Sequence, residues 1–154
     1  MIRAAKPSDI PALSELAKRT WADAFGSSVS AEDAAAELEE TRSEEYFEQA
    51  LQTDTILVAE LGSELRAYVQ FGNGTLRRLY VDTELQGRGI GGELLEAALE
   101  HPRLADAEEI RLQVWEKNER ALRLYERFGF RIVGTTRFTI GREVVEDLVL
   151  VRRA

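Results

Sequence analysis

The chain contains no cysteine, which excludes disulfides, zinc thiolate sites and a cysteine acyl-enzyme. It has one histidine, His101, so a site built from several histidine ligands is excluded too, and no metal is expected. His101 stands near the end of a helix-like run, before Pro102, and reads as a surface cation at a helix C-terminus. There are only three prolines, and no Pro/Ser-rich linker, repeat or low-complexity stretch divides the chain. One compact domain, residues 1–154, is therefore expected. No apolar run approaches the ~20 residues needed to span a bilayer, and the opening MIRAAKPSDI has no long apolar stretch behind its charges. A membrane is not an expected partner, and a cytoplasmic location is expected.

Basic residues are in deficit: 20 Lys and Arg face 28 Asp and Glu, for a net charge of −8. The imbalance is local. Residues 1–74 carry 6 basic and 14 acidic side chains, whereas residues 75–154 carry 14 of each. A solvated acidic helical face would account for this, and so would a surface that attracts cationic ligands. Both argue against nucleic acid as a partner.

Residues 2–5 suit a short strand. Lys6-Pro7-Ser8-Asp9 then supplies helix-start chemistry before Ile10, Leu13, Leu16 and Ala17, which recur at helical spacing. Ser30 with Asp33 marks the start of a second, Ala/Glu-rich helix, and a third helical piece is predicted from Ser43 to Leu51. The pattern changes at Thr55. TILVAEL, LRAYVQF and LRRLYV, separated by Gly62-Ser63 and Asn73-Gly74, read as an antiparallel meander. A helix after Gly89, a buried strand from Glu109 to Trp115, a helix from Glu119 to Phe128 and two strands around Gly141-Arg142 follow. The expected class is α+β, or mixed α/β, with helices on the faces of one sheet.

Between the third strand and the helix that follows it lies Gln86-Gly87-Arg88-Gly89-Ile90-Gly91-Gly92-Glu93. Glycines let a backbone turn tightly and direct several N–H groups at an anion, and a helix N-terminus adds its positive end. Gly87, Gly89 and Gly92 have G-x-G-x-x-G spacing. The acids about 20 residues on (Asp106, Glu108, Glu109) nevertheless precede the next strand, whereas a ribose-binding acid should follow it. No Gly-Lys-Ser/Thr is present, so a Walker loop is excluded. Taken alone, the loop leaves phosphate binding and a plain Gly-rich turn both open.

With LYV at 79–81, QGRGIG at 86–91 and VWEKNERALRLYERFGF at 114–130, the chain resembles the GCN5-related N-acetyltransferase (GNAT) superfamily. Gln86, Gly89 and Gly91 match its Q/R-x-x-G-x-G/A signature. TWADAFG at 20–26 and RFTIGREVVEDLVL at 137–150 resemble the PaiA-type spermidine/spermine branch. The resemblance implies a mostly antiparallel sheet of about seven strands flanked by about four helices, with splayed strands forming an acetyl-CoA cleft. It implies that the amides of Arg88, Gly89, Ile90, Gly91 and Gly92 bind the pyrophosphate, with Gln86 and Gly87 also at the cofactor. Leu79, Tyr80 and Val81 would pair with the pantetheine arm, the N–H near Val81 acting as an oxyanion donor. Ala121 and Asn118 would face the cofactor, although Asn118 also stands where a helix N-cap belongs. Tyr125 would protonate the departing thiolate; read without the resemblance it is a core aromatic on an apolar helical stripe. Trp21, Asp23 and Phe25 are candidate acceptor-binding residues, although Trp21 and Phe25, four residues apart on the first helix, by themselves read as core. A homodimer is an assembly the resemblance allows.

Acetyl transfer to an amine requires the neutral nucleophile. An ammonium with a pKa of ~10.4 is deprotonated in about one molecule in 2,500 at pH 7, a cost of roughly 4.6 kcal/mol. A base or a water chain must help. Several relatives place a glutamate where this chain has Thr75, which leaves a water relay, Asp82, Glu116 or Asp23 as alternatives. A small polycationic amine is the expected acceptor. A protein N-terminus, a lysine or another small amine is the alternative, and a CoA-binding module without catalysis is a further one.

Overall fold

A computed structural model describes residues 1–25 and 28–154. In chain order it contains β1 (Ile2–Ala4), α1 (Ile10–Phe25), α2 (Ala31–Thr41), α3 (Glu44–Thr53), β2 (Thr55–Leu61), β3 (Glu64–Gly72) and β4 (Thr75–Val81). Then come α4 (Ile90–Glu100), α5 (Pro102–Ala105), β5 (Glu109–Trp115), α6 (Glu119–Arg127), β6 (Arg131–Ile140) and β7 (Glu143–Arg153). The local causes are those in the sequence. α1 buries Leu13, Leu16, Ala17, Thr20 and Trp21, a stripe at helical spacing. Ser30 and Ser43 cap α2 and α3, accepting hydrogen bonds from the Asp33 and Tyr46 amides, each at 3.1 Å. Loss of either cap would cost about 1 kcal/mol.

The strands form one sheet in the order β1-β2-β3-β4-β5-β7-β6. All neighbours are antiparallel except β4 and β5, which run parallel and pair only at Thr75↔Arg111 and Leu76↔Leu112. Past those two pairs the strands part. The sheet separates two apolar layers. On one face α4 to α6 pack against Val69, Phe71, Leu112, Val114 and Leu150. On the other, α1 and α3 cover Ile56, Val58 and Tyr68, while Trp21 and Phe25 cover Ile140 and Val145.

The sheet has the expected seven strands, but the described residues hold six α-helices rather than about four. The difference includes the four-residue α5, which gives His101 a second role. This residue ends α4 and caps α5: its Nδ1 accepts from the Arg103 amide at 3.2 Å, and its ring packs edge-on against Phe71 at 5.1 Å. His101 is therefore a structural cap. Among the described residues, no helix is long and apolar enough to cross a membrane.

The N-terminal strand is tied down by Arg3, which donates to both Asp9 carboxylate oxygens at 2.7 and 3.0 Å and to Glu60 at 3.3 Å. These bonds hold the Asp9 carboxyl down to about 2, against an ordinary value of 3.8. A folded-state carboxyl shifted downward contributes stability that is present above the unfolded value and is lost as pH falls through the folded one. Asp9→Asn is therefore expected to melt below wild type at pH 5, with the gap closing between pH 4 and pH 2. Thermal denaturation of both proteins across that range checks it.

Candidate active site

Where β4 and β5 part, the structure opens a cleft of about 1150 Å³. Its walls come from both faces of the sheet. Leu79 and Val81, which pack toward the α4–α6 layer, line it with the glycine loop and the start of α6. Tyr80, Trp115 and the Thr20, Asp23 and Ala24 positions of α1 line it from the opposite layer. The cleft is thus a slot through the sheet, open to different chemistry at its two ends.

At one end stands the glycine loop. Gly87 and Gly89 have φ of 84° and 85°, the left-handed region that favours glycine, and Gly89 is the N-cap of α4. Glu93 is the first amide to enter the helix ladder, donating to the Gly89 carbonyl at 3.0 Å. The amides of Ile90, Gly91 and Gly92 find no acceptor among the described residues. They form the positive end of α4 at the lip of the slot. Gln86 closes the other side of the turn, donating from Nε2 to the Val81 carbonyl at 3.4 Å.

Val81 is placed by the alternation of a strand. The amide of Asp82 donates to Arg66 on β3 at 2.9 Å. Successive amides point to opposite edges, so the Val81 N–H points away from β3, toward the side where β5 has departed. It is a donor aimed into the slot.

Across the loop, Asn118 caps α6, its Oδ1 accepting from the Ala121 amide at 3.2 Å. The same residue lines the slot, as does Ala121, so capping and cleft contact coexist. Lys117, Arg120, Arg123 and Arg127 also line it, against two carboxylates, Asp23 and Glu126. Arg120, Arg123 and Arg127 recur at i, i+3 and i+7 and so share one face of α6. This half of the slot is cationic. The sequence reading passed over these residues, although the spacing of arginines in NERALRLYER carried the signal.

A family model for the acetyltransferase (GNAT) family matches residues 11–130. The chain belongs to this GNAT family. It is 36% identical over 78 residues to a spermine/spermidine N(1)-acetyltransferase of Bacillus subtilis, an alignment that spans 50% of this chain and 51% of that protein. The match therefore extends over about half of the relative's length. An uncharacterised N-acetyltransferase of Mycobacterium tuberculosis is 32% identical over 153 residues, covering 94% of this chain and 97% of that one. Among solved structures, the PaiA N-acetyltransferase of Thermoplasma acidophilum in complex with coenzyme A superposes with a TM-score of 0.84 at 22% identity. The match covers 100% of this chain and 98% of that one. A GCN5-related N-acetyltransferase of Rhodopseudomonas palustris gives 0.84 at 16% identity, over 100% and 95% of the two chains. The chain accordingly has the GNAT fold.

Within this GNAT slot, Leu79, Tyr80, Val81, Gln86, Gly87, Gly89 through Gly92, Asn118, Ala121 and Asp23 come together as walls. Arg88 is exposed and its side chain does not line the slot. Tyr125 is 4% exposed, with its ring edge-on to Phe130 at 5.8 Å. Burial, and then the nearby Tyr80 hydroxyl, push its pKa well up, so the phenol keeps its proton through the neutral range. Its hydroxyl has no hydrogen-bond partner among the described residues, and its side chain is not one of the walls of the slot. Trp21 and Phe25 are 2% and 8% exposed and do not line the slot. Of the two readings given for them, acceptor contact and core, the structure supports core. Phe25 backs Trp115 at 4.7 Å, and Trp21 packs on Phe25 at 5.6 Å, so both are core behind the wall. Gly26, the last residue of TWADAFG, lies outside the described residues.

The structure also sorts the candidate bases. Thr75 sits at the closed end of β4, paired with Gly72 and Arg111, six residues from Val81, or roughly 20 Å along a strand. It does not line the slot. Burial alone would raise the Asp82 carboxyl, but hydrogen bonds from Arg19 and Arg66 at 2.9 to 3.2 Å outweigh it and leave the pKa lowered. Asp82 is a structural anion. Glu116 is exposed and outside the slot. Asp23 lines it, and accepts from Thr83 Oγ1 at 2.7 Å. Arg42 went unnoticed in the sequence: it is 6% exposed, its guanidinium 5.9 Å from the centroids of both Trp21 and Tyr80, and it stiffens the wall behind Tyr80.

Proposed function

We propose that the enzyme acetylates a primary amine of a small polycation, of which spermidine and spermine are examples, by direct attack within a ternary complex. The observation that carries this reading is the slot itself, which joins a cationic, amide-lined end on one face of the sheet to an end holding Asp23 on the other. Similarity to the Bacillus subtilis spermine/spermidine N(1)-acetyltransferase supports the choice of acceptor. The unpartnered amides of Ile90 to Gly92 and the α6 arginines suit a pyrophosphate, so the residues present fit the CoA group. When bound, acetyl-CoA supplies an acetyl group activated as a thioester.

In this reading the exposed edge of β4 at Leu79 and Val81 takes up the amides of the pantetheine arm as an added strand would. The Val81 N–H stabilises negative charge developing on the carbonyl oxygen. Losing one such donor costs about 2.7–4 kcal/mol in the protease from which that figure comes. Tyr125 gives the departing sulfur its proton. Asp23 receives the amine's proton, directly or through one water. With no cysteine in the chain, attack by the amine on the bound thioester needs no enzyme-bound acyl group.

Arg120 lies over the loop, its guanidinium 3.3 Å from where a side chain at Gly87 would begin. Arg120→Ala is expected to raise the KM for acetyl-CoA roughly tenfold at low salt, and by less at high salt, with kcat little changed. Initial rates at two ionic strengths check it. The acceptor is tested by incubating the enzyme with acetyl-CoA and a panel of polyamines, monoamines, amino acids and peptides, followed by mass spectrometry of the products. Acetylated polyamine is the expected product. Acetylated peptide alone would sink the polyamine assignment.

A further inference from the structure

Asp147 lies on β7, paired with Trp115 on β5 and with Thr136 on β6. Cross-strand partners share a face of the sheet, so its side chain stands on the sheet face that carries Asp23, beside the tryptophan that forms the slot's wall and just behind the lining itself. Its surroundings are apolar. Val145 lies two residues before it, Phe138 two residues beyond Thr136, and the Phe25 ring covers Trp115.

No hydrogen bond or ion pair among the described residues engages the Asp147 carboxylate, and its Oδ1 is sealed from solvent without a partner. The charged groups around it are committed or distant. The Lys117 ammonium sits 6.0 Å from the Trp115 centroid. Asp23 is held by Thr83, Asp33 accepts from the Arg142 amide at the β6–β7 turn, and Glu146 pairs with Arg137 on the opposite face. Burial without a compensating cation pushes the carboxyl up to about 6. At neutral pH the fold therefore holds an ionised, half-buried carboxylate that lacks a cation, an arrangement that costs stability until a cation arrives.

Resting on the reading of the slot as an amine-acetylating site, we propose that Asp147 binds a second ammonium of the acceptor, not the one acetylated, and so selects diamines and polyamines over monoamines. β5 lies between β4 and β7 and has parted from β4 at this level, which puts Asp147 more than two strand spacings, over roughly 10 Å, from the Val81 amide. That is too far to touch the reacting nitrogen. The distance matters, because a carboxylate fixed on that nitrogen would favour its ammonium form and oppose attack. It leaves several ångströms for the acceptor's own carbon chain to bridge, with the Trp115 ring alongside its methylenes.

The test compares wild type with Asp147→Asn, using 1,4-diaminobutane and butylamine, which share a chain length and differ by one ammonium. The ratio of kcat/KM for the diamine over the monoamine is expected to fall about tenfold or more in the variant. An unchanged ratio overturns the proposal. Folding is read separately. A carboxyl raised from 3.8 to about 6 contributes stability that is present below the unfolded value and lost as pH rises through 6, so Asp147→Asn should melt above wild type at pH 8. Added 1,4-diaminobutane should raise the wild-type Tm and leave the variant's unmoved. Equal shifts in both would also overturn the site. If wild type acetylates no amine at all, the acetyltransferase reading of the slot fails, and the diamine-induced Tm shift still decides Asp147.

Discussion

Replacing Gly89 by valine is expected to weaken acetyl-CoA binding by at least 100-fold, about 2.7 kcal/mol, while leaving a folded protein. Two features combine at this residue. Its φ of 85° is one that L side chains rarely adopt, costing roughly 1–2 kcal/mol and more for a β-branched residue. A Cβ placed there meets no protein atom within 4 Å, so the added methyls enter the open slot in front of the Ile90–Gly92 amides instead of the core. Relief of the strain would turn the loop and misdirect those same amides. Isothermal titration with CoA, beside a thermal melt, separates the two effects. Near-normal CoA affinity in a folded Gly89→Val protein would show that the loop is only a turn.

Removing one oxygen from Tyr125 should act in the opposite pattern. Tyr125→Phe keeps the ring against Phe130 and deletes a hydroxyl that makes no hydrogen bond among the described residues, so neither stability nor CoA affinity should change by more than about 1 kcal/mol. The turnover number should fall about 100-fold or more, the range of a lost general acid. The loss should be smaller for an acetyl donor whose leaving thiol has a lower pKa, because such a thiolate needs its proton less. Turnover equal to wild type with acetyl-CoA would remove Tyr125 from the chemistry and return it to the core.

Much of the fold is legible along the chain because its causes are local. Gly62-Ser63, Asn73-Gly74 and Gly141-Arg142 mark the hairpins, and Ser30, Ser43 and Asn118 cap helices where their spacing suggests. The glycine loop and the VWEKNERALRLYERFGF segment identify the cofactor side of the slot for the same reason. The acceptor side depends on pairings between distant segments. That β7 inserts between β5 and β6 cannot be read from strand order, yet it brings Asp147 beside Trp115. Within EVVEDLVL, the choice of which acid faces inward rests on parity. A shift of one residue would exchange Glu146 with Asp147, and only the register with β5 decides. Thr75 misled for the converse reason. Its place in a motif suggested the active site, whereas the β4–β5 pairing puts it at the closed end of the strands. The second role of His101, capping a four-residue helix against Phe71, is not legible along the chain because it depends on a tertiary contact.

The central claim is that the slot carries an acetyl group through the sheet from one bound molecule to another. It is tested most directly by mixing the enzyme with acetyl-CoA, with and without spermidine, quenching in the first turnover, and weighing both protein and small molecules by mass spectrometry. With spermidine, one acetylated polyamine should form for each free thiol, and the protein's mass should stay unchanged throughout; without it, no thiol should be released. Acetylated protein forming in the absence of amine, or thiol release that does not depend on the polyamine, would contradict the account.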